Sequence, residues 1–280
     1  MGSLPIYLSN PNQLITLPDV YFRVRDLVQQ GAGTHDISKV VSIDPALTAR
    51  FLSMANSALF APKAEIATVS RAVTLLGTQL VHDIVLSSSV ADMFDGIPAQ
   101  LVDVKAFWSQ SVACGAIAKA LADHLKVLNS GHVFVQGLLA DIGHVAMYQF
   151  EPQSMVDILT RAKATGAMQF RIEREQLGYD YCDIGGYLAD QWGLPAEIPE
   201  ILLSHQEPSS ASNCHFEASI VHVAYRLAEN RARSESSLEF HESALAFINL
   251  SHEQVVELHE VISNDIDEVI TAFSQVKNAA

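Results

Sequence analysis

Apolar residues along this chain recur at helical spacing, and almost no stretch alternates with period two. Asp19 to Gln30 places Val20, Val24, Leu27 and Val28 on one stripe, closed by Gly31 and Gly33. Asp44-Pro45 predicts a helix start. The aspartate serves as cap, and the proline falls in the first turn, where its missing N–H costs no bond. Leu47, Phe51, Met54, Ala55 and Ala58 then keep helical spacing. Ser70 to Leu76 reads as a short helix ended by Gly77, and Thr78 as the cap of another with Leu80, Val81, Ile84 and Val85 inward.

Asp95-Gly96-Ile97-Pro98 is the clearest internal break. An alanine-rich helix follows from about Val102 to Leu125, then a helical stretch from Gly131 to Tyr148. Glu151-Pro152 starts the next, whose inward face is Met155, Ile158, Leu159 and Ala162. Further helices are expected at Met168–Leu177, Cys182–Gln191, Pro195–His205 and Glu217–Arg233. Ser234-Glu235-Ser236-Ser237 reads as an exposed loop. A final amphipathic helix from Glu253 to Phe273 sets Val256, Ile262, Ile266, Val269 and Phe273 against an acidic face, to pack internally or across a dimer. The pattern is that of an all-α bundle.

Composition narrows the classes. With 49% hydrophobic and 18% charged residues over 280 positions, the chain has enough apolar matter for a sizeable core. No apolar run approaches a membrane span. The first residues show no basic region leading into an apolar core, and Ile6 stands where N-myristoylation requires Ser or Thr. Cys114, Cys182 and Cys214 are widely spaced and fit packed, reduced thiols, which points to the cytoplasm. Only 17 Lys and Arg are spread through a chain of formal charge −15, so nucleic acid is not an expected ligand.

Several short motifs occur in a fixed order. Leu17-Pro18 is followed by Ile43-Asp44-Pro45-Ala46-Leu47-Thr48-Ala49-Arg50, Asn56-Ser57-Ala58, Ala72-Val73 and Leu76-Gly77. After the break come Trp108-Ser109-Gln110-Ser111, Gly137-Leu138-Leu139-Ala140-Asp141-Ile142-Gly143, Glu175 with Gly178 and Asp180, Ile184-Gly185, and Trp192-Gly193-Leu194-Pro195. Their succession, from about Leu14 to Arg233, resembles the HDOD family, the HD-related output domain of the HD metal-dependent phosphohydrolase superfamily. The resemblance implies a bacterial signalling protein. Its expected fold is an N-terminal helical subdomain (14–95) packed on an HD-like subdomain (99–233), with 234–280 as a loop and helical extension.

The resemblance also says where a metal site would be. Catalytic HD sites bring neutral imidazoles and carboxylates onto divalent cations, which activate water and offset phosphoryl charge. Here the early histidine position falls on Gln110, or on Ser111 if the register slips by one, and the central histidine is Ala140 beside a retained Asp141. The later histidine is Tyr181, a histidine pair reads His205-Gln206, and the closing aspartate is Tyr225. Asp141 and His205 alone are too few for a catalytic zinc-type site, which keeps about three protein ligands.

The remaining candidates have plain structural readings. Asp141 is expected to bond a helix end or neighbouring side chain, and His205 and His222 to be packed, hydrogen-bonded histidines. His144 lies three residues after Asp141 and shares its helix face, with a surface or boundary position favoured over a ligand role. Asn56 is expected to be a buried amide tying backbone between N-terminal helices, and Trp108 and Trp192 to fill helix interfaces.

The expected function is a non-catalytic regulatory module without metal or other cofactor, acting through a protein partner or a small ligand such as a nucleotide. No membrane role is expected, and an oligomer is allowed. The competing expectation is a metal-dependent phosphohydrolase acting on a nucleotide or cyclic dinucleotide, with an unconventional set built on Asp141, His144 and His205.

Overall fold

The computed structural model describes residues 5, 8, 15–57, 59, 60, 62, 65–128, 130–233 and 238–277. Ile6, Leu14, Ala58 and the expected loop Ser234–Ser237 lie outside the described residues. Among the described residues every regular element is a helix and there is no strand. None of these helices is long and apolar enough to cross a membrane.

The first helices are α1 (Asp19–Gln29), α2 (Thr34–Val41), α3 (Pro45–Ala55), α4 (Val69–Leu76) and α5 (Thr78–Ala91). Asp44 accepts the Leu47 N–H at 3.2 Å and so caps α3. Thr78, expected as a cap, is instead the first residue of α5. The cap position is Gly77 at φ +85°, a conformation open to glycine. Helix α2 was not legible: it is eight residues long and is capped by Ser42, without a closing glycine such as Gly77 after α4. Residues 81–91 of α5 are all buried, since α1, α3 and α4 surround it. Its buried Ser87, Ser88 and Ser89 hydroxyls donate to the carbonyls of Asp83, Ile84 and Val85, so these three hydroxyls are satisfied within the helix.

After the break, α6 (Val104–His124) begins where the Asp103 carboxylate accepts the Lys105 and Ala106 N–H groups. It is the central post of the bundle, packed by α7 (Gly131–Leu139), α13 (His215–Arg233) and α15 (His252–Lys277). Small residues permit that approach. A Cβ on Gly137 would lie 2.8 Å from the Cys114 carbonyl oxygen, and one on Gly115 2.7 Å from that of Phe134. The expected single stretch from Gly131 to Tyr148 is broken at Ala140-Asp141, and α8 (Ile142–Phe150) leaves in a new direction.

Around α8 lie α9 (Pro152–Thr165), α10 (Gln169–Leu177), α11 (Tyr181–Gln191) and α12 (Glu197–Ser204), with α14 (Glu242–Ile248) against α13. The last helix, α15, packs internally on α6 and α3 rather than waiting for a second copy. Ile266, Val269 and Phe273 are buried as expected. The stripe starts at the fully buried Val255, not at Val256. Asn56 corrects another expectation. Its amide does tie backbone, donating to Leu52 and Ile66 carbonyls and accepting the Ile66 N–H at 2.7 Å, but the residue is exposed. Both tryptophans are buried, and Trp192 Nε1 donates to the Ile15 carbonyl at 2.9 Å.

Candidate functional site

The break at Ala140-Asp141 aims the Asp141 carboxylate into a pocket between α6, α8, α10, α11, α12 and α13. Gln110, Asp141 and Tyr225 are joined there by hydrogen bonds, as are Tyr181, His205 and Gln206. Ala140 is buried and offers no donor. Gln110 reaches Asp141 at 3.4 Å, whereas Ser111 bonds back to the Phe107 carbonyl of its own helix. The register that faces the pocket is therefore that of Gln110.

The centre of the site is a residue expected at the surface. His144 is buried, one turn beyond Asp141 on α8. Its Nδ1 lies 2.5 Å from Asp141 Oδ1 and its Nε2 2.7 Å from Glu173 Oε1. Burial opposes charge on this imidazole, but Glu173, Tyr148 and Asp141 together outweigh it and hold its pKa well above the ordinary value. The imidazolium donates both N–H groups to carboxylates. It is stacked on Tyr181 at 4.0 Å between ring centroids, with Tyr148 parallel on the other side at 5.4 Å.

Glu173 was missed in the sequence, where Glu175 stood out within the motif. Glu175 is exposed and pairs with Arg161, while Glu173 is fully buried. Its carboxylate accepts Gln169 Nε2 at 2.9 Å and the Tyr181 backbone N–H at 3.1 Å, besides the imidazolium. One signal could have found it: Glu173 follows Phe170 by three residues and adjoins Ile172, both buried, on the inward face of α10.

Tyr181 stands at the start of α11. Asp180 caps that helix, accepting the Cys182 and Asp183 N–H groups in a capping box with Asp183. The Tyr181 hydroxyl accepts from Gln206 Nε2 and donates to His205 Nε2 at 2.9 Å. His205 Nδ1 donates to the Leu202 carbonyl at 2.9 Å, which fixes the neutral tautomer. His222 Nδ1 donates in turn to the His205 carbonyl at 2.8 Å, and its Nε2 accepts the His241 N–H at 2.9 Å. Tyr225 closes the pocket from α13, its hydroxyl 3.4 Å from Asp141 Oδ1. Tyr181 and Tyr225, with His144 and Gln206, also line a cleft of about 690 Å³ that opens past Lys163 and Phe170.

A metal does not fit this donor set. Both nitrogens of His144 and both of His205 already have hydrogen-bond partners, and Ala140 supplies none. Among the described residues no group of three or more His, Cys, Asp or Glu side chains is placed to hold a metal ion.

Burial pushes the pKa of His205 down to about 4 and that of His222 down to about 3. Both are lowered below the unfolded value of about 6.5, so their stabilisation is complete above that pH. It is lost as the pH falls toward the folded values, because only the unfolded chain then takes up the protons. His144 has the opposite sign, contributing fully below about pH 6.5 and losing its contribution only as pH rises through its raised value. Denaturant titrations between about pH 6.5 and pH 5 should show stability falling by roughly 1.4 kcal/mol per pH unit for each of His205 and His222. His222→Gln should flatten that slope by its own share. An unchanged slope in the variant would contradict the assignment.

The HDOD domain family model matches residues 14–208. Among solved structures, an HDOD domain protein of unknown function from Geobacter sulfurreducens superposes with a TM-score of 0.77 at 23% identity, covering 94% of this chain and 93% of that one. A Shewanella amazonensis SB2B protein provisionally described as a phosphohydrolase gives 0.75 at 26% identity, covering 95% and 97%. A Marinobacter aquaeolei VT8 protein provisionally described as a signal transduction protein gives 0.73 at 23%, covering 94% and 60%. An uncharacterized protein of Treponema pallidum (strain Nichols) is 22% identical over 174 residues, 61% of this chain and 33% of that protein. This chain therefore spans about a third of the length of the curated relative it matches. The matched region covers the greater part of the chain and holds seven of the eight positions that the resemblance singled out, all but Tyr225, and on that match the chain belongs to the HDOD domain family.

Proposed function

We propose that this HDOD domain is a non-catalytic regulatory module of the bacterial cytoplasm, acting through a protein partner or a small ligand in the cleft over its degenerate metal site. One observation carries the reading. The groups that would face a cation are bonded to one another instead, with the His144 imidazolium between Asp141 and Glu173 and with Tyr181 capped by His205 and Gln206. Metal-assisted hydrolysis needs an open coordination position and a water whose proton the cation can loosen. A pocket whose two carboxylates are already bridged by a protein cation provides neither. A cleft of about 690 Å³ falls in the range of small-ligand sites, which span roughly 300–1,000 Å³.

The description carried by the Shewanella amazonensis relative favours a second reading, a metal-dependent phosphohydrolase using Asp141, His144 and His205. One experiment decides between them. Protein purified without chelators is assayed for divalent metal and for turnover of phosphomonoester and phosphodiester substrates with added Mn²⁺. The regulatory reading predicts no turnover above background. Turnover that Asp141→Ala abolishes, with stoichiometric metal, would establish the enzyme.

A further inference from the structure

Most ion-paired carboxylates in this protein face a guanidinium or an ammonium: Asp92 faces Arg50, Asp123 Lys119, Asp180 Arg174 and Asp267 Arg231. Asp83, in the buried helix α5, is different. Its Oδ2 lies 2.9 Å from Nδ1 of His132 on α7, and its Oδ1 lies 3.2 Å from Nδ1 of His82. The Asp83 side chain is only 8% exposed, while that of His132 is 40% exposed and reaches solvent. Arginine and lysine keep their charge throughout the physiological range, whereas imidazole gives it up near neutrality. The partner charge of this buried carboxylate is therefore the kind that a modest pH change removes.

The neighbouring elements leave the pair to itself. On α1, the Tyr21 ring lies 5.1 Å from that of His82, and Arg25 bears on the Tyr21 hydroxyl rather than on Asp83. Burial pushes the Tyr21 pKa up to about 12, so that group stays neutral. The Tyr21 hydroxyl and His82 Nε2 are buried without a hydrogen-bond partner. On α6, Lys119 lines the same hollow of about 360 Å³ as Asp83 and His132, but its ammonium is paired with Asp123 at 2.7 Å. On α12, Glu197 adds to the field that favours the His132 cation. The hydrogen bond to Asp83 raises the His132 pKa against the pull of burial. Burial raises that of Asp83, but His132 and His82 outweigh it and leave a net lowering.

We propose that Asp83 and His132 form a proton-operated clasp between α5 and α7, closed while His132 is protonated and loosened when it is not. The position of the clasp gives it reach. His132 sits in the first turn of α7, and the same helix ends at Leu139, directly before Ala140 and Asp141 of the degenerate pocket. A change in how α7 seats on α5 is passed along one rigid element to that pocket. The sign is set by the raised imidazole: the clasp contributes fully below about pH 6.5, and its contribution is lost as pH rises through the folded value of His132. The device requires no ligand in the cleft and stands independently of what that cleft binds.

The test is amide hydrogen exchange in α5 and α7, corrected for the intrinsic pH dependence of exchange, at about pH 6 and about pH 9. In the full chain, protection in α7 should fall by up to a few-fold between the two, the effect of an ion pair partly screened by solvent at the exposed imidazole. His132→Arg, with a permanent cation, should keep its protection at both, and His132→Gln should be weakly protected at both. Equal protection of the parent at the two pH values would overturn the clasp, as would an undiminished pH response in His132→Arg. If the arginine variant does not fold, NMR titration of His132 in the parent decides. An apparent pKa above about 6.5 supports the clasp, and one at or below that value overturns it.

Discussion

His144→Ala is expected to destabilise the fold by on the order of 3–5 kcal/mol, the cost of leaving buried charge without its partner. Asp141 and Glu173 have side chains only 6% and 0% exposed, and the imidazolium bridges them. Its removal also empties the slot between Tyr148 and Tyr181, where the rings stack at 5.4 Å and 4.0 Å. The thermal midpoint should drop by roughly 10 °C for a chain of this size. A second signature separates lost charge from lost packing. With no cation between them, the two buried carboxylates repel each other, and uptake of one proton relieves that repulsion. The variant should then lose stability less steeply than the parent as the pH falls from about 7 to about 5, by up to about 1.4 kcal/mol per pH unit. A variant within about 1 kcal/mol of the parent, with the parent's pH trend, would show that His144 is not the charge that holds this site.

Gly143→Ala is expected to cost about 3 kcal/mol or more, at the upper end of overpacking substitutions. A Cβ there collides with the Tyr181 carbonyl oxygen and lies 2.9 Å from the Gly185 backbone nitrogen. Both obstacles are backbone, so no side chain can rotate away and α8 must separate from α11. Tyr181 would then leave its stack on His144. Gly33→Ala is the control: nothing lies within 4 Å of its would-be Cβ, and the change should cost less than about 1 kcal/mol. Similar denaturation midpoints for both variants would mean that the α8–α11 contact is looser than described.

The fold class was legible because helical periodicity and caps such as Asp44-Pro45 are local signals. The elements that escaped, α2 and α14, are short and, unlike the similarly short α4, have no glycine to close them. The break at Ala140-Asp141 escaped because the apolar pattern runs through it unchanged. The turn shows only in the backbone: Asp141 leaves helical geometry at φ −103° and ψ 9°, and its carboxylate bonds His144 three residues on.

The site was half legible. The replacements that the resemblance implies, such as Ala140 and Tyr181, can be read only against a family pattern, and the partners of His144 and Glu173 cannot be read that way. His144 looked like a boundary residue because histidine usually is one. Yet it stands in a run, Ile142 to Met147, that is otherwise free of polar side chains and is buried on every side. Glu173 was hidden beside the motif residue Glu175, and only the inward face of α10 separates them. Both misses share one cause: a charge that is buried because a distant element compensates it has no local signature.

The central claim is that protein groups, with His144 as the cation, satisfy this pocket in place of a metal. Calorimetric titration of the chelator-free protein with Mn²⁺ at neutral pH tests it most directly. The account predicts no saturable binding in the micromolar range, for the parent and for Asp141→Ala alike. Stoichiometric binding by the parent that Asp141→Ala removes would contradict it.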